Sequence, residues 1–448
     1  MHSLTVDSAV KSIAGPVRRA FVFHVEPSLI PSELYALLPE YRRMVNQAVR
    51  AGLAAGVTSR ASLARLAYAS LSTQYKGLSS YVAQAIGDAV AILHAHRRRE
   101  RRGTATQPPF VHRMHLKVAP ASFHFDATTG NVRVSVGNGR WVSFQLAVST
   151  WHREQLSSGV ARPVLLTLKP GAVTIVTAGV PPKPYEPKAV LAFDTNEESL
   201  DGVMAAAERA KLVRVPLGNV RAVQARHSVR RRRLAAKKNH DRRLMRRLLG
   251  REGKRERDRV KARLHLVSKR VVGAAKTHRA AIALEDLTGI RRTYSPNLNL
   301  RLSAWPHRQL HHQIAYKAMA AGVPVVFVNP YLTSKKCAAC GWTPKRSKTR
   351  KSARKANGMY VCGNPECGWT ANRQFNAGIN ILRTALTDRP GLGGVRFHLD
   401  ALSHDVMNPL CEPASRAVRD ERMEREFKAS VSRAGCALAR TATGHVPP

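Results

Sequence analysis

Acidic residues are scarce in this chain. Against 74 Lys and Arg, its 448 residues carry only 29 Asp and Glu, a formal net charge of +45. Such a surplus opposes its own compaction unless a polyanion neutralises it, so nucleic acid is the expected main partner. Also missing is any apolar run approaching the roughly 20 residues of a membrane span, so no membrane association is expected. The N-terminus lacks a charged-then-apolar leader with a small-residue cleavage site, which argues against secretion and for a cytoplasmic, nucleoid-associated protein. The hydrophobic share of 44% is nevertheless that of a globular chain, long enough for two or three domains with real cores.

Cysteine is sparing but patterned. Cys337-Ala-Ala-Cys340 and Cys362-Gly-Asn-Pro-Glu-Cys367 form two knuckles on either side of a basic loop, the spacing of metal ligands in a reducing compartment. Four thiolates brought together by a hairpin satisfy tetrahedral zinc and leave no open position, so the site is expected to be structural. Cys411 and Cys436, near the C-terminus, have no visible partners. The loop between the knuckles holds Lys345, Arg346, Lys348, Arg350, Lys351, Arg354 and Lys355, which makes the ribbon an expected nucleic-acid contact.

Periodicity divides the chain. Arg19 to Glu26 alternates as a strand, and Ser32 to Arg102 reads as helices, with Leu34, Leu37 and Leu38 on one face and Val82, Ile86, Val90 and Leu93 on another. The second stripe is read as ordinary helix packing. Between His112 and Thr177 come short strands with Gly- and Pro-rich turns, suggesting a small barrel interrupted by the helical insert. Pro181 to Pro187, with four prolines, is a stiff linker.

Beyond it, strands are expected at Ala189 to Phe193, Gly202 to Ala205, Lys211 to Val215, Ala280 to Leu284 and Val323 to Val328. A helical pair over Gln224 to Lys276 repeats Val260, Leu264, Val267 and Val271 on one face. Its other face carries Arg230, Arg231, Arg232, Arg233, Lys237, Lys238, Arg242, Arg243, Arg246 and Arg247, candidate phosphate contacts. A helix follows from about Pro306 to Ala321. Three strands, a helical crossover, a strand, a helix and a strand make an RNase H-like α/β layout.

Asp194 and Glu285 each end an apolar strand, where ligands collect in open α/β sheets, and two acids delivered there could share a metal. Strand-end acids more often cap the next turn, and Asp201 and Asp286 lie close enough in sequence to confuse the assignment.

The run Trp305-Pro306-His307-Arg308-Gln309-Leu310, then Tyr316-Lys317-Ala318, Gly322-Val323-Pro324-Val325, Val328-Asn329-Pro330, Thr333 to Gly341 and Asn376-Ala377-Gly378-Ile379-Asn380-Ile381 resembles the second half of TnpB proteins. These are transposon-encoded, RNA-guided DNA endonucleases related to the type V CRISPR effectors. The resemblance spans roughly Ala189 to Leu386; upstream only the strand–helix–strand architecture is similar. It implies an α/β, RNase H-like (RuvC) nuclease fold with an inserted zinc ribbon, preceded by a β-barrel wedge domain carrying a helical insertion. The implied organisation is a wedge over 1–30 and 103–180, a recognition insert over 31–102 and a linker over 181–188. The RuvC part then covers 189–332 and 371–386 with its basic insert over 221–276, the ribbon covers 333–370, and a tail, expected as either a disordered segment or an appended contact surface, covers 387–448.

The same resemblance makes Asp194 and Glu285 the first two magnesium-binding acids of the nuclease and places the third at Gln374. An acid common two residues earlier is Asn372 here. An amide oxygen can ligate magnesium but brings no charge to the site, and weakened metal should cost orders of magnitude in rate. The implied function is RNA-guided binding of a double-stranded DNA target through a guide RNA, with cleavage lost or impaired. One alternative is an active magnesium-dependent endonuclease whose third carboxylate has moved to Asp388, Asp400 or Asp405. Another is a zinc-ribbon protein that binds nucleic acid without a guide.

Overall fold

A computed structural model describes residues 16–105, 107–156, 161–207, 209–236, 241–288, 304–344, 358–392 and 394–407. Lys237, Lys238, the seven basic residues between the knuckles, Cys411 and Cys436 lie outside these residues, as does the side chain of Asp405. The chain divides into two compact units at Val180/Pro181.

The first unit opens with strand β1 (Val17–His24), followed by helices α1 (Ser32–Ala54), α2 (Arg60–Gln74) and α3 (Ser79–Glu100). Ser59 caps α2 by accepting a hydrogen bond from the Ser62 N–H, which satisfies one of the four orphan donors of a helix start. Strands β2 (Leu116–Val118), β3 (Phe123–Phe125), β4 (Asn131–Gly137) and β5 (Arg140–Gln145) come next, then the short helix α4 (Thr150–Leu156), β6 (Ala161–Lys169) and β7 (Ala172–Gly179). The strands read as a small barrel are divided between two sheets, ordered β1-β7-β6-β2 and β3-β4-β5, with every pairing antiparallel. Val82, Ile86 and Leu93 are buried, as their spacing predicts, and Val90 is half-buried. Asp88 of α3 joins helices to sheet: it accepts from the Tyr41 hydroxyl at 2.9 Å, lies 2.9 Å from His115 Nε2 and pairs with Lys117.

The second unit is built on β8 (Ala189–Thr195), β9 (Ser199–Ala206), β10 (Arg209–Pro216), β11 (Ala280–Glu285), β12 (Val325–Val328) and β15 (Leu402–Met407), in the order β12-β11-β8-β9-β10-β15. β8, β9 and β10 form an antiparallel meander; β11 runs parallel to β8, β12 to β11 and β15 to β10. Helices cover both faces, so β8 and β11 are almost continuously apolar rather than alternating. Alternate side chains serve different cores. Leu191, Phe193, Ile282 and Leu284 pack with α6 (Arg242–Thr277) and α7 (His307–Ala321) through Leu264, Val267, Val271 and Ile314. Val190, Ala192, Ala281 and Ala283 pack with α8 (Arg373–Asp388) through Phe375, Ile379 and Leu382.

Helix α5 (Val220–Ala236) lies against α6, joined by buried His227 and Glu252, whose Nδ1 and Oε1 are 2.7 Å apart. Strands β13 (Met359–Val361) and β14 (Thr370–Asn372) form a small hairpin before α8. Helix α8 crosses β9 backbone to backbone: a Cβ added to Gly378 would sit 2.5 Å from the Cα of Gly202.

One expectation needs correction. The stretch after Thr387 has no helical or strand periodicity, yet α8 continues to Asp388 and β15 adds a sixth strand to the sheet. Leu402 at the start of β15, with Leu392 and Val395 in the segment leading to it, joins the core beneath α8, and the strand's order comes from pairing along β10.

Candidate active site and metal centre

A row of polar side chains runs across the sheet on the face covered by α8. Asp194 of β8 pairs directly with Asp201 of β9, and Asp201 pairs with Arg214 of β10. On the other side, Glu285 follows Leu284, the partner of Phe193, so it stands beside Asp194 on the next strand. Asp194 and Glu285 are within hydrogen-bonding reach of one another. The two strand-end acids therefore meet.

Burial pushes the Asp194 carboxyl well above the usual carboxylate range; the neighbouring Glu285 and Asp201 carboxylates raise it further, while an Asn196 hydrogen bond and Arg373 oppose. Glu285 is raised by burial too, against hydrogen bonds from the Thr333 hydroxyl and from Asp194. Two like charges in a desolvated site hold a proton between them, or attract a cation.

Asp201, which complicated the sequence assignment, is fully buried and differently employed. It accepts from the Arg214 guanidinium, the Ser199 hydroxyl and, at 3.1 Å, the Asn196 amide. The same Asn196 nitrogen donates to Asp194 at 3.2 Å, bridging the two acids. The available signal was the short turn: pairing 194 with 201 requires only that β8 and β9 be joined by a tight hairpin. Arg214 also lies 5.1 Å from the Phe375 ring centre on α8. Asp286 points elsewhere and accepts from the Thr288 N–H at 2.9 Å, the turn-capping role of a strand-end acid.

Gln374 is half-buried at the start of α8, and Asn372 is that helix's cap, accepting from the Gln374 N–H at 3.0 Å. Among the described residues, Asp388 and Asp400 lie away from them. Asp388 ends α8, about 21 Å along the axis from Gln374. Asp400 precedes β15, whose Leu402 is level with Ala210, Ala205 and Val190 at the start of β8, the edge opposite Asp194. The backbone of Asp405 lies in that edge strand, three strands from β8.

The four cysteines converge. One ligand atom from each of Cys337, Cys340, Cys362 and Cys367 lies within 4.8 Å of all the others. Two of the sulfur pairs are separated by 3.8 Å (Cys337–Cys367) and 3.6 Å (Cys340–Cys362). Thiolates at the usual zinc distance on a tetrahedron stand about 3.8 Å apart, so the set fits a metal ion such as zinc. The ribbon is anchored on α8 by two buried asparagines. Asn376 accepts from the Ala338 N–H (3.0 Å) and the Trp369 indole (3.2 Å) and donates to the Lys336 carbonyl (2.9 Å). Asn380 donates to the carbonyls of Thr333 (2.9 Å) and Lys336 (2.7 Å).

Among the candidate phosphate contacts, Arg230, Arg232, Arg233, Arg242, Arg243, Arg246 and Arg247 are exposed on α5 and α6. Arg231 is half-buried and paired with Glu256, and Arg230 lies 3.7 Å from Glu252.

A family profile described as Cas12f1-like, TNB domain matches residues 307–381, from α7 through the ribbon into α8. A second, described as the Uncharacterized protein MJ0013 family, matches residues 37–135. A TnpB-like protein of Methanocaldococcus jannaschii is 26% identical over 224 residues, 47% of this chain and 78% of that protein. The CRISPR-associated endodeoxyribonuclease Cas12f2 of a Micrarchaeota archaeon is 30% identical over 132 residues, 28% of this chain; the aligned region spans 23% of that relative. Among solved structures, a Cas12f1–sgRNA–target DNA complex matches with a TM-score of 0.55 at 14% identity, covering 78% of this chain and 82% of that one, a likeness of fold. With the paired strand-end acids and the four-cysteine ribbon in place, these matches support kinship of this chain with TnpB proteins and type V effectors.

Proposed function

We propose that this chain is an RNA-guided DNA-binding protein of transposon origin, holding a guide RNA and a double-stranded DNA target, whose cleavage is lost or severely impaired. The observation that carries the reading is the composition of the centre. Asp194 and Glu285 converge, but the two positions that the resemblance assigns to further acids, Asn372 at the cap of α8 and Gln374 in its first turn, are amides, and the Asn372 oxygen is already engaged in capping the helix. Asp194 and Glu285 would hold magnesium, which supplies charge neutralisation at the scissile phosphate. With two acids in place of three the ion is under-neutralised and poorly fixed, a deficit of several kcal/mol in transition-state stabilisation and hence orders of magnitude in rate.

Relocation of the third acid to the tail finds no support in the positions of Asp388 and Asp400. Asp201 lies beside the pair, but its carboxylate is held by Arg214, Ser199 and Asn196. Zinc in the four-cysteine site would be structural, closing the ribbon, and the exposed arginines of α5 and α6 suit a phosphate-lined channel whose grip weakens steeply with salt. Target choice would then rest on guide pairing, with the protein gripping backbone and a short flanking motif. The likeness to a Cas12f1–sgRNA–target DNA complex supports the guide RNA and DNA target, while the loss of cleavage rests on the amides at Asn372 and Gln374 alone.

Sequencing the RNA that co-purifies at moderate salt is the first test. A single species with a constant scaffold and a variable end is expected; a smear of ribosomal and transfer RNA would instead favour guide-independent binding by the ribbon. On the target so defined, Gln374→Asp should raise magnesium-dependent cutting by at least about a hundredfold over wild type. Wild-type cutting at the mutant's rate would refute the loss of cleavage.

A further inference from the structure

The leading segment of the ribbon carries its first cysteine at one end and a contact to the carboxylate pair at the other. Residues 333 to 338 are pinned throughout. Asn380 donates to the carbonyls of Thr333 and Lys336, Asn376 to that of Lys336, and Asn376 accepts from the Ala338 N–H next to Cys337. Asn376 also accepts from Trp369, two residues past Cys367, so one side chain holds both knuckles. At the start of this segment the Thr333 hydroxyl donates to Glu285 Oε1. Thr333, Glu285, Asn376 and Asn380 are each at most 5% exposed, so water does not substitute for these contacts.

A threonine hydroxyl has one proton to give. Thr333 Oγ1 has two acceptors in reach, Glu285 and, at 3.0 Å, the carbonyl of Pro330. The choice between them depends on where the segment sits. The Asn380 oxygen, buried without a partner, shows that this residue is present for its two donors, both aimed at the segment.

We propose that Thr333, Asn376 and Asn380 are positioning residues that make the carboxylate pair depend on the state of the four-cysteine site. With the ribbon closed, the segment is drawn against α8 and the Thr333 hydroxyl orients Glu285. With the ribbon open, the hydroxyl turns to Pro330, and Glu285 loses the donor that fixes it. The inference rests on the metal-binding reading of the cysteines. It makes metal status at the ribbon a control on the nuclease-like centre, whether that centre cuts or only binds cations.

Hydrogen–deuterium exchange of the full-length chain, with metal content measured in parallel, tests it. Stripping the ribbon metal with a chelator should speed exchange in the 285–288 peptide roughly tenfold, the scale of one buried hydrogen bond lost, while 190–193 of β8 stays protected. Thr333→Val should exchange fast at 285–288 with metal bound and respond no further to stripping, and Thr333→Ser should behave as wild type. Three results overturn the proposal: a ribbon that loosens while 285–288 does not respond, a Thr333→Val chain that responds like wild type, or β8 loosening to the same extent. Were the purified chain to hold no metal, the metal reading itself would fail. Asn376→Ala then supplies the perturbation, with the same expected contrast between 285–288 and 190–193 and the same refuting results.

Discussion

Asp194→Asn isolates the electrostatics of the carboxylate pair. Its folded-state pKa is raised from 3.8 to about 8, chiefly by burial and then by Glu285. Between about pH 4 and pH 8 the folded chain therefore keeps a proton that the unfolded chain has released, so the stability contributed below pH 4 is lost as pH rises through that window. Each pK unit corresponds to about 1.4 kcal/mol. The asparagine keeps the shape and can still accept from Asn196, but carries no charge. Removing one of two like charges is expected to recover on the order of 2 kcal/mol at pH 8 and nothing near pH 4. Urea unfolding of wild type and mutant in chelator across that range measures it. The two stability curves should diverge as pH rises, and millimolar magnesium should narrow the gap by stabilising wild type alone. A mutant that is less stable than wild type at pH 8 by as much as at pH 4 would refute the picture of an unneutralised pair.

Asp201→Ala removes the buried acceptor shared by Arg214, Ser199 and Asn196 and should cost about 1–3 kcal/mol by denaturant unfolding, whereas adding Arg214→Met should recover only a small part, because Arg214 itself reaches solvent. Gly378→Ala brings a methyl against the Gly202 backbone, where Gly202 is itself pressed on the Ala192 carbonyl. A loss of about 1–3 kcal/mol is expected, seen as a lower thermal midpoint, because neither backbone can yield.

Much of the second unit was legible because its signals are local. The apolar runs ending in Asp194 and Glu285 are strands buried on both faces, and the Val260–Val271 stripe is the buried side of α6. The cysteine spacing by itself predicts the four-sulfur cluster that the fold assembles. β15 was hidden, since its six residues gain their order from lying along β10 and have no periodicity long enough to stand out. Periodicity sets the candidate phosphate contacts on one basic face, yet Arg231 and Arg230 are drawn toward Glu256 and Glu252, acids one helix away that no window of sequence sets beside them.

The site divides in the same way. That Asp194 and Glu285 are carboxylates while Gln374 and Asn372 are amides is a matter of covalent structure, and with it comes the charge deficit of the centre. Their meeting depends on β11 pairing with β8 across nearly ninety intervening residues. The pairing of Asp201 with Arg214 and the bridging by Asn196 depend on the register of β9 with β10 and β8, and the seating of Thr333 on Glu285 brings together residues nearly fifty positions apart. Residue type and spacing belong to the chain. Which polar groups are desolvated together, and so how strongly they act on one another, is decided only when distant strands and a helix exclude water from the same place.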